Sequence, residues 1–321
     1  MKYMNVAVAA AVLCAAACSA AEFRFVVVDE DTGERAAGVD VGAIVWCNGV
    51  DRGLNYDRTT DADGSCAINK RNARSVRVFT ERDAERYKSS VYKALDANHG
   101  DAMTITVGVR RVVKPIPLIV KAETPTHMDL FGQGHDVLQY DFFKGSYLPP
   151  VGTGVVADVE FRRMPEEDLG LTTRTGREID EHEMRKRLTM TVRFPGADNG
   201  VVKVGHSQCS SLKLRTAPAD GYVQSYQCTD EDGLRMERIT SWEDGETLCF
   251  RIRTRRNQDG EIVEAYYGKI YGDIYFANAN RIRMGSPHFT YYLNPASMDV
   301  NLEYDQRHNI CPGASYSEFK P

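Results

Sequence analysis

From Phe23 onward, turn chemistry interrupts the chain before most runs grow long enough for a helix. Asp31-Thr32-Gly33, Asp61-Ala62-Asp63-Gly64, Asp230-Glu231-Asp232-Gly233 and Asp259-Gly260 separate short stretches rich in Val, Ile, Thr, Tyr and Phe. Asp and Asn bond their own backbone in such turns and Gly supplies positive φ, so the pattern specifies short strands. "FRFVVVDEDTGERAAGVDVGAIVW" reads as two strands around one turn, and "SCAI", "SVRVFT" and "MTITVGVRR" follow. This spacing predicts an all-β chain built of sandwiches rather than βαβ units. Asp61 to Gly64 also begins like a calcium loop. Counted from Asp61, however, Gly falls fourth, Cys66 sixth and the amide Asn72 twelfth, where an EF-hand needs Gly at the sixth and Glu at the twelfth position. The expectation is a turn capped by the Asp61 side chain, with Gly64 at positive φ and no metal.

Residues 1–21 read as a secretory leader: Lys2, an apolar run from Val6 to Ala17, then Ser19-Ala20-Ala21. Processing at Cys18 with a lipid anchor is the rival reading. Either way the expected location is outside the cytoplasm: periplasmic, extracellular or at the outer surface. The apolar run is shorter than the ~20 residues a bilayer requires, and no later stretch is more apolar. The net charge of −5, with both signs interspersed, gives no basic footprint for nucleic acid. Beyond Cys14 and Cys18 lie Cys47, Cys66, Cys209, Cys228, Cys249 and Cys311, all disulfide candidates in an oxidising compartment. Cys47 and Cys66 are expected to bridge across a Gly- and Asp-rich loop, worth about 3 kcal/mol in the chain-entropy model. No CxxC pair supports a zinc site.

A mature chain of this length suggests two domains. The first is expected over residues 22–121, a linker over 122–135 and a larger β-rich domain over 136–321. "VVKPIPLIVKAETPTH", with three prolines, is read as closing the first domain and leading into the linker. Helical composition appears only at "ERDAERYKSSVYKAL" (81–95) and "EIDEHEMRK" (178–186). Val28-Asp29 with Thr32-Gly33, a small-residue stretch ending in Val39 and Val41, Thr60-Asp61 with Gly64, and the aromatic Tyr87 resemble the carboxypeptidase regulatory-like, prealbumin-type β-sandwich domain. That resemblance implies an accessory module without catalytic residues. The remainder resembles exported bacterial proteins of no assigned activity.

Chemistry-bearing patterns are sparse. "GHSQC" at 205–209 lacks the final Gly of a nucleophile elbow, and strand geometry would put His206 opposite Ser207. His182 lacks the second His of a zinc helix, because Lys186 holds that place. "CFRIRTRR" puts Arg251, Arg253 and Arg255 on one face of a regular strand, where they could hold carboxylate or sulfate. The alternative is a solvated face paired with some of the chain's 45 acids. In "YGKIYGDIYF", Ile270, Ile274 and Phe276 form a core face, while Tyr271 and Tyr275 form a second face suited to stacking on sugar. The expected role is a non-catalytic exported protein that binds a polysaccharide, an anionic polymer or another surface protein, without a cofactor. The alternative is a carbohydrate-active hydrolase using carboxylates such as Asp299, Glu303 and Asp305.

Overall fold

A computed structural model describes residues 21–80, 86, 89–95, 102–123, 130–131, 133–171, 184–204, 214–232, 238–240, 246–277 and 284–311. All regular structure among them is β-strand. The chain divides into two compact units. One comprises Met1–Glu81 with Ser90–Val107, the other Arg82–Ser89 with Gly108–Pro321.

The first unit contains β1 (Ala21–Asp29), β2 (Asp40–Cys47), β3 (Leu54–Thr59), β4 (Ser65–Lys70), β5 (Ala73–Thr80), β6 (Ser89–Ala94) and β7 (Met103–Val109). They form a three-stranded sheet, β4-β1-β7, and a four-stranded sheet, β3-β2-β5-β6. Phe23, Phe25, Val27, Ile68, Ile105 and Val107 of the first sheet and Val41, Ala43, Val45, Val76 and Val78 of the second are buried. Each sheet therefore hides one face, the arrangement of a sandwich. The turn before β4 forms as its sequence dictates. Asp61 Oδ1 accepts the amides of Asp63 at 3.0 Å and Ser65 at 2.9 Å, and Gly64 sits at φ 65°. The Asp61 carboxyl is spent on backbone, and Ser65's amide holds its pKa below the ordinary value.

Three expectations fail here. Residues 89–94, part of the supposed helix 81–95, are strand β6 at the sheet's edge. Residues 81–85 and 87–88, Tyr87 included, lie outside the described residues. Cys47 and Cys66 are free thiols. Cys66 lies opposite Phe25 in one sheet, whereas Cys47 lies opposite Ala73 in the other. The segment between them needs no covalent tie, because it contains β3, laddered onto β2 from Asp40–Thr59 to Val45–Leu54. Finally, the proline-containing segment is no linker up to residue 123. Ile116–Glu123 is β8, which pairs with later strands of the second unit, so the division between units falls before the prolines. Of the expected linker, residues 124–129 and 132 lie outside the described residues.

The second unit is larger. Its seven-stranded sheet runs β10 (Ser146–Tyr147), β9 (Val137–Asp141), β11 (Val159–Arg163), β13 (Met184–Arg193), β15 (Ser225–Asp232) and β16 (Arg238–Thr240), with β12 (Glu167–Leu171) also on β13. β13 begins at Met184, inside the second supposed helix, whose residues 178–183 lie outside the described residues. The six-stranded sheet runs β14 (Gly200–Val204), β17 (Thr247–Arg256), β18 (Ile262–Ala277), β19 (Met284–Leu293), β8 and β20 (Tyr304–Asn309). One core joins the sheets: Tyr140, Phe161, Met190 and Val192 meet Phe250, Ile252, Ile270, Phe289 and Tyr291. Phe142 stacks on Phe250 with centroids 4.5 Å apart. Two buried hydroxyls of this core are satisfied: Tyr140 donates to Glu123 at 2.9 Å and Tyr291 to the Phe142 carbonyl at 2.7 Å. Cys228, Cys249 and Cys311 are buried and form no disulfide with one another, and Cys209 lies outside the described residues.

The six-stranded sheet is covered on its other face too. Leu214, Ala217 and Leu302 pack there on Cys249, Ala265 and Tyr267. The two covering segments bond each other through Ala217 N to Val300 O (2.8 Å) and Leu302 N to Arg215 O (2.7 Å). Lys269, between Cys249 and Tyr292 in register, donates to the carbonyls of Leu214 at 2.7 Å and Leu302 at 2.8 Å. It clamps both segments onto the sheet. Burial first, then the charge of Arg110, pushes the Lys269 ammonium down to about 7; Cys249 and Glu303 oppose the shift and Arg215 adds to it.

Two outcomes are expected. Gly64→Ala should destabilise the first unit by about 1–3 kcal/mol, because a Cβ there would meet Arg35 Cβ at 2.7 Å at a positive φ. Urea unfolding measures it, and a loss of stability smaller than that of a surface Gly33→Ala control would refute the packing argument. Between pH 7 and 9 the unfolded chain holds a proton on Lys269 that the folded chain releases, so stability rises with pH across that window. The stability difference between wild type and Lys269→Met should therefore shift in favour of wild type from pH 7 to 9. A pH-independent difference would show that Lys269 stays charged in the folded protein.

Candidate functional site

The three arginines of β17 do not share a face. Ile252 pairs with Tyr266 and Arg255 with Glu264, so β17 carries one extra residue there, and Arg253 takes φ 51°. A bulge re-aims the side chain it contains. Arg253 is turned toward the opposite sheet, where Nε meets Asp158 at 2.7 Å and Nη2 meets Asp158 at 2.8 Å and Asp141 at 2.9 Å. Its guanidinium lies 4.3 Å over the Phe143 ring. The Asp141 and Asp158 side chains are only 2% and 1% exposed. Asp141 also receives the amides of Phe143, Lys144, Val155 and Val156, and Asp158 that of Phe142. Burial works against the Asp141 charge, but the amides of Val155, Lys144 and Val156 and the Arg253 cation hold its pKa below the usual range.

Arg251 instead donates to the Asp198 carbonyl at 2.8 Å and covers the Tyr222 ring at 4.5 Å. Arg255 pairs with Glu264 at 2.9 Å on the surface. Each of the three is engaged by the protein itself, in three different places. The tyrosines are separated as well. The register slips between Tyr271, opposite Thr290, and Tyr275, opposite His288. Tyr271 stays 41% exposed, while Tyr275 packs on the core and stands edge-on to His288 at 5.3 Å. Ile270, Ile274 and Phe276 do share the core face. The carboxylates named for hydrolysis hold local structure. Asp299 accepts the Asn301 amide at 3.0 Å, and Asp305 bonds His308 at 2.6 Å. Glu303 accepts the amides of Val113 (2.6 Å) and Lys114 (2.5 Å) and faces Arg215 at 3.6 Å. His182, His206, Ser207 and Cys209 lie outside the described residues. Among the described residues no three His, Cys, Asp or Glu side chains gather as a metal ion would require. No helix there is long and apolar enough to cross a membrane.

The arrangement best suited to a ligand lies in the first unit. Trp46 on β2 and Tyr92 on β6 stand edge-to-face with centroids 6.1 Å apart and planes at 67°. With Arg74, Ser75, Ala94 and Leu95 they line an open concavity of about 400 Å³. Tyr92 is 58% exposed, a high value for so large an aromatic residue. The Trp46 ring is held from beside: a Cβ on Gly53 would lie 3.2 Å from the indole Nε1 and 2.3 Å from Ile44 Cγ2, so only glycine lets the chain pass so close. A second concavity, about 260 Å³, lies in the other unit between Gln139, Tyr147 and the cis Pro149–Pro150 pair and has no exposed aromatic face. The sequence reading passed over both cradle aromatics. Trp46 ended a strand, and Tyr92 lay inside a supposed helix. The usable signal was a tryptophan, one of two in the chain, next to turn residues rather than within a core run.

No family model matches the chain, and no curated protein matches it. Two solved structures align over most of its length. One is a DUF3823 family protein from Parabacteroides merdae, 9% identical, covering 89% of this chain and 99% of that one at a TM-score of 0.24. The other is a "putative carbohydrate binding protein" from Bacteroides uniformis, 10% identical, covering 87% and 98% at a TM-score of 0.22. Likenesses of that size decide neither the details of the fold nor a ligand.

The geometry of β17 predicts that its arginines differ in kind. Arg253→Gln strips two buried carboxylates of their cation and should cost about 3–5 kcal/mol of stability. Arg255→Gln should change stability by no more than about 0.5 kcal/mol. Urea titration of both variants checks the contrast, and equal midpoints would overturn it.

Proposed function

We propose that this chain is an exported, non-catalytic carbohydrate-binding protein whose contact surface is the Trp46–Tyr92 cradle of the first unit. The single observation that carries the reading is an aromatic pair, Tyr92 exposed and Trp46 half-buried, opening onto a concavity with a polar side. A pyranose ring offers an apolar face, which stacks on an aromatic ring, and a hydroxyl edge, which needs hydrogen-bond partners. The cradle offers both kinds of surface, with Tyr92 and Trp46 as the platform and Arg74 and Ser75 as polar neighbours. A rigid sheet fixes the platform, so little ordering entropy opposes binding.

The prealbumin-type assignment of this unit is part of the same reading. It is supported by sheets of three and four strands and by the Gly33 and Gly64 turns at the ends of the expected strands. Accessory modules of that kind are mostly non-catalytic. Export is supported by the composition of residues 1–21, and Cys18 is where a lipid anchor would be attached. The second unit, with its arginines and carboxylates engaged internally, serves in this reading as the larger scaffold.

A panel of immobilised plant and bacterial polysaccharides, probed with the full chain, tests the proposal. At least one polymer should retain the protein, and Tyr92→Ala should reduce retention by roughly tenfold or more, as expected for one lost stacking contact, with Tm nearly unchanged. Retention that is indifferent to Tyr92→Ala and to Trp46→Ala, or no retention by any polymer, would refute it.

A further inference from the structure

We infer that the Trp46–Tyr92 cradle selects an anionic sugar residue, one bearing a carboxylate or a sulfate, and that Arg74 is the selecting group. The inference rests on the carbohydrate reading above and gives its ligand a charge. β2 and β5 slip register beside the cradle: Trp46 pairs with Ser75 but Cys47 pairs with Ala73. β5 therefore spends two residues where β2 spends one, and Arg74 is the extra residue. Bulges re-aim side chains, and the same device in β17 turns Arg253 onto two aspartates.

The difference between these two bulged arginines is what points to a ligand. Arg253 is saturated by buried carboxylates. Arg74 is exposed and lines the cradle, and its guanidinium has neither an ion pair nor a hydrogen bond among the described residues. Arg77, three residues along β5, is by contrast bonded to Ser90 at 3.0 Å. Among the described residues no acidic side chain lines the cradle to compete for the Arg74 charge. A planar fork of donors beside an aromatic platform matches a sugar ring stacked on Tyr92 or Trp46 with a carboxylate or sulfate at its edge. A neutral sugar would use only part of the fork.

Two matched pairs of polymers test this by affinity electrophoresis or calorimetry with the full chain: polygalacturonate against its methyl ester, and dextran sulfate against dextran. In each pair the backbone is shared and only the anion differs. The expected result is binding at least about tenfold tighter to the anionic member of one pair. Arg74→Gln should remove that preference, Arg74→Lys should restore only part of it, and Arg77→Gln should leave it intact. The pair that responds tells carboxylate from sulfate. Equal binding to charged and neutral members, or a preference that survives Arg74→Gln, overturns the inference while leaving the carbohydrate reading standing, provided Tyr92→Ala still weakens binding. A preference equally sensitive to Arg77→Gln would reduce it to general electrostatic attraction and also overturn it. Failure of all four polymers to bind overturns the inference, and the wider panel then decides the carbohydrate reading separately.

Discussion

Arg253 and the two aspartates it bridges organise the larger unit. A carboxylate removed from water is tolerated only when cations and amides replace its hydration. Asp141 and Asp158 are both almost fully buried, and both reach the same guanidinium. Because their remaining lone pairs take the amides of Phe142, Phe143, Lys144, Val155 and Val156, one cation indirectly sets the path of the chain between β9 and β11. That path in turn places Phe142 against Phe250 at the centre of the core. The bulge in β17 exists at the cost of a left-handed residue, and the ion cluster it enables offsets that strain.

The opposite face of the six-stranded sheet poses a second problem of the same kind. A sheet buried on both faces leaves no exit to water for a lysine at its middle. Lys269 resolves this by donating to two carbonyls of the covering segments, which makes it a clamp, and its depressed pKa follows from burial. Both solutions use a basic side chain to organise backbone rather than to meet a ligand. This is why the second unit, despite its many arginines and tyrosines, offers less chemistry to a partner than the small unit does.

In the small unit the economy is reversed. Its turn carboxylates are consumed locally, as Asp61 shows, and its core is apolar. What remains available is an aromatic pair held by the close passage of Gly53, together with an arginine that a bulge has aimed and that has no partner among the described residues. Polar groups without internal partners on a rigid sheet are where recognition is cheapest, because nothing has to be broken or ordered before a ligand arrives.

The sequence by itself determined the all-β class, the turns at Asp61–Gly64 and, between β17 and β18, at Asp259-Gly260, and the core face of Ile270, Ile274 and Phe276. These depend on interactions within a few residues, or on a period of two, and both can be read along the chain. Tertiary structure decided the rest. Residues 89–94 carry helical composition yet pair as an edge strand, because a neighbouring strand outweighs weak local propensity. Cys47 and Cys66 share a domain but not a sheet, so no spacing rule could show them to be free thiols. Above all, the two bulges place Arg253 on aspartates and Arg74 in an open cradle. A bulge is a mismatch between two strands far apart in sequence, so its position, and the direction of the side chain it turns, belong to the pairing and not to either strand alone.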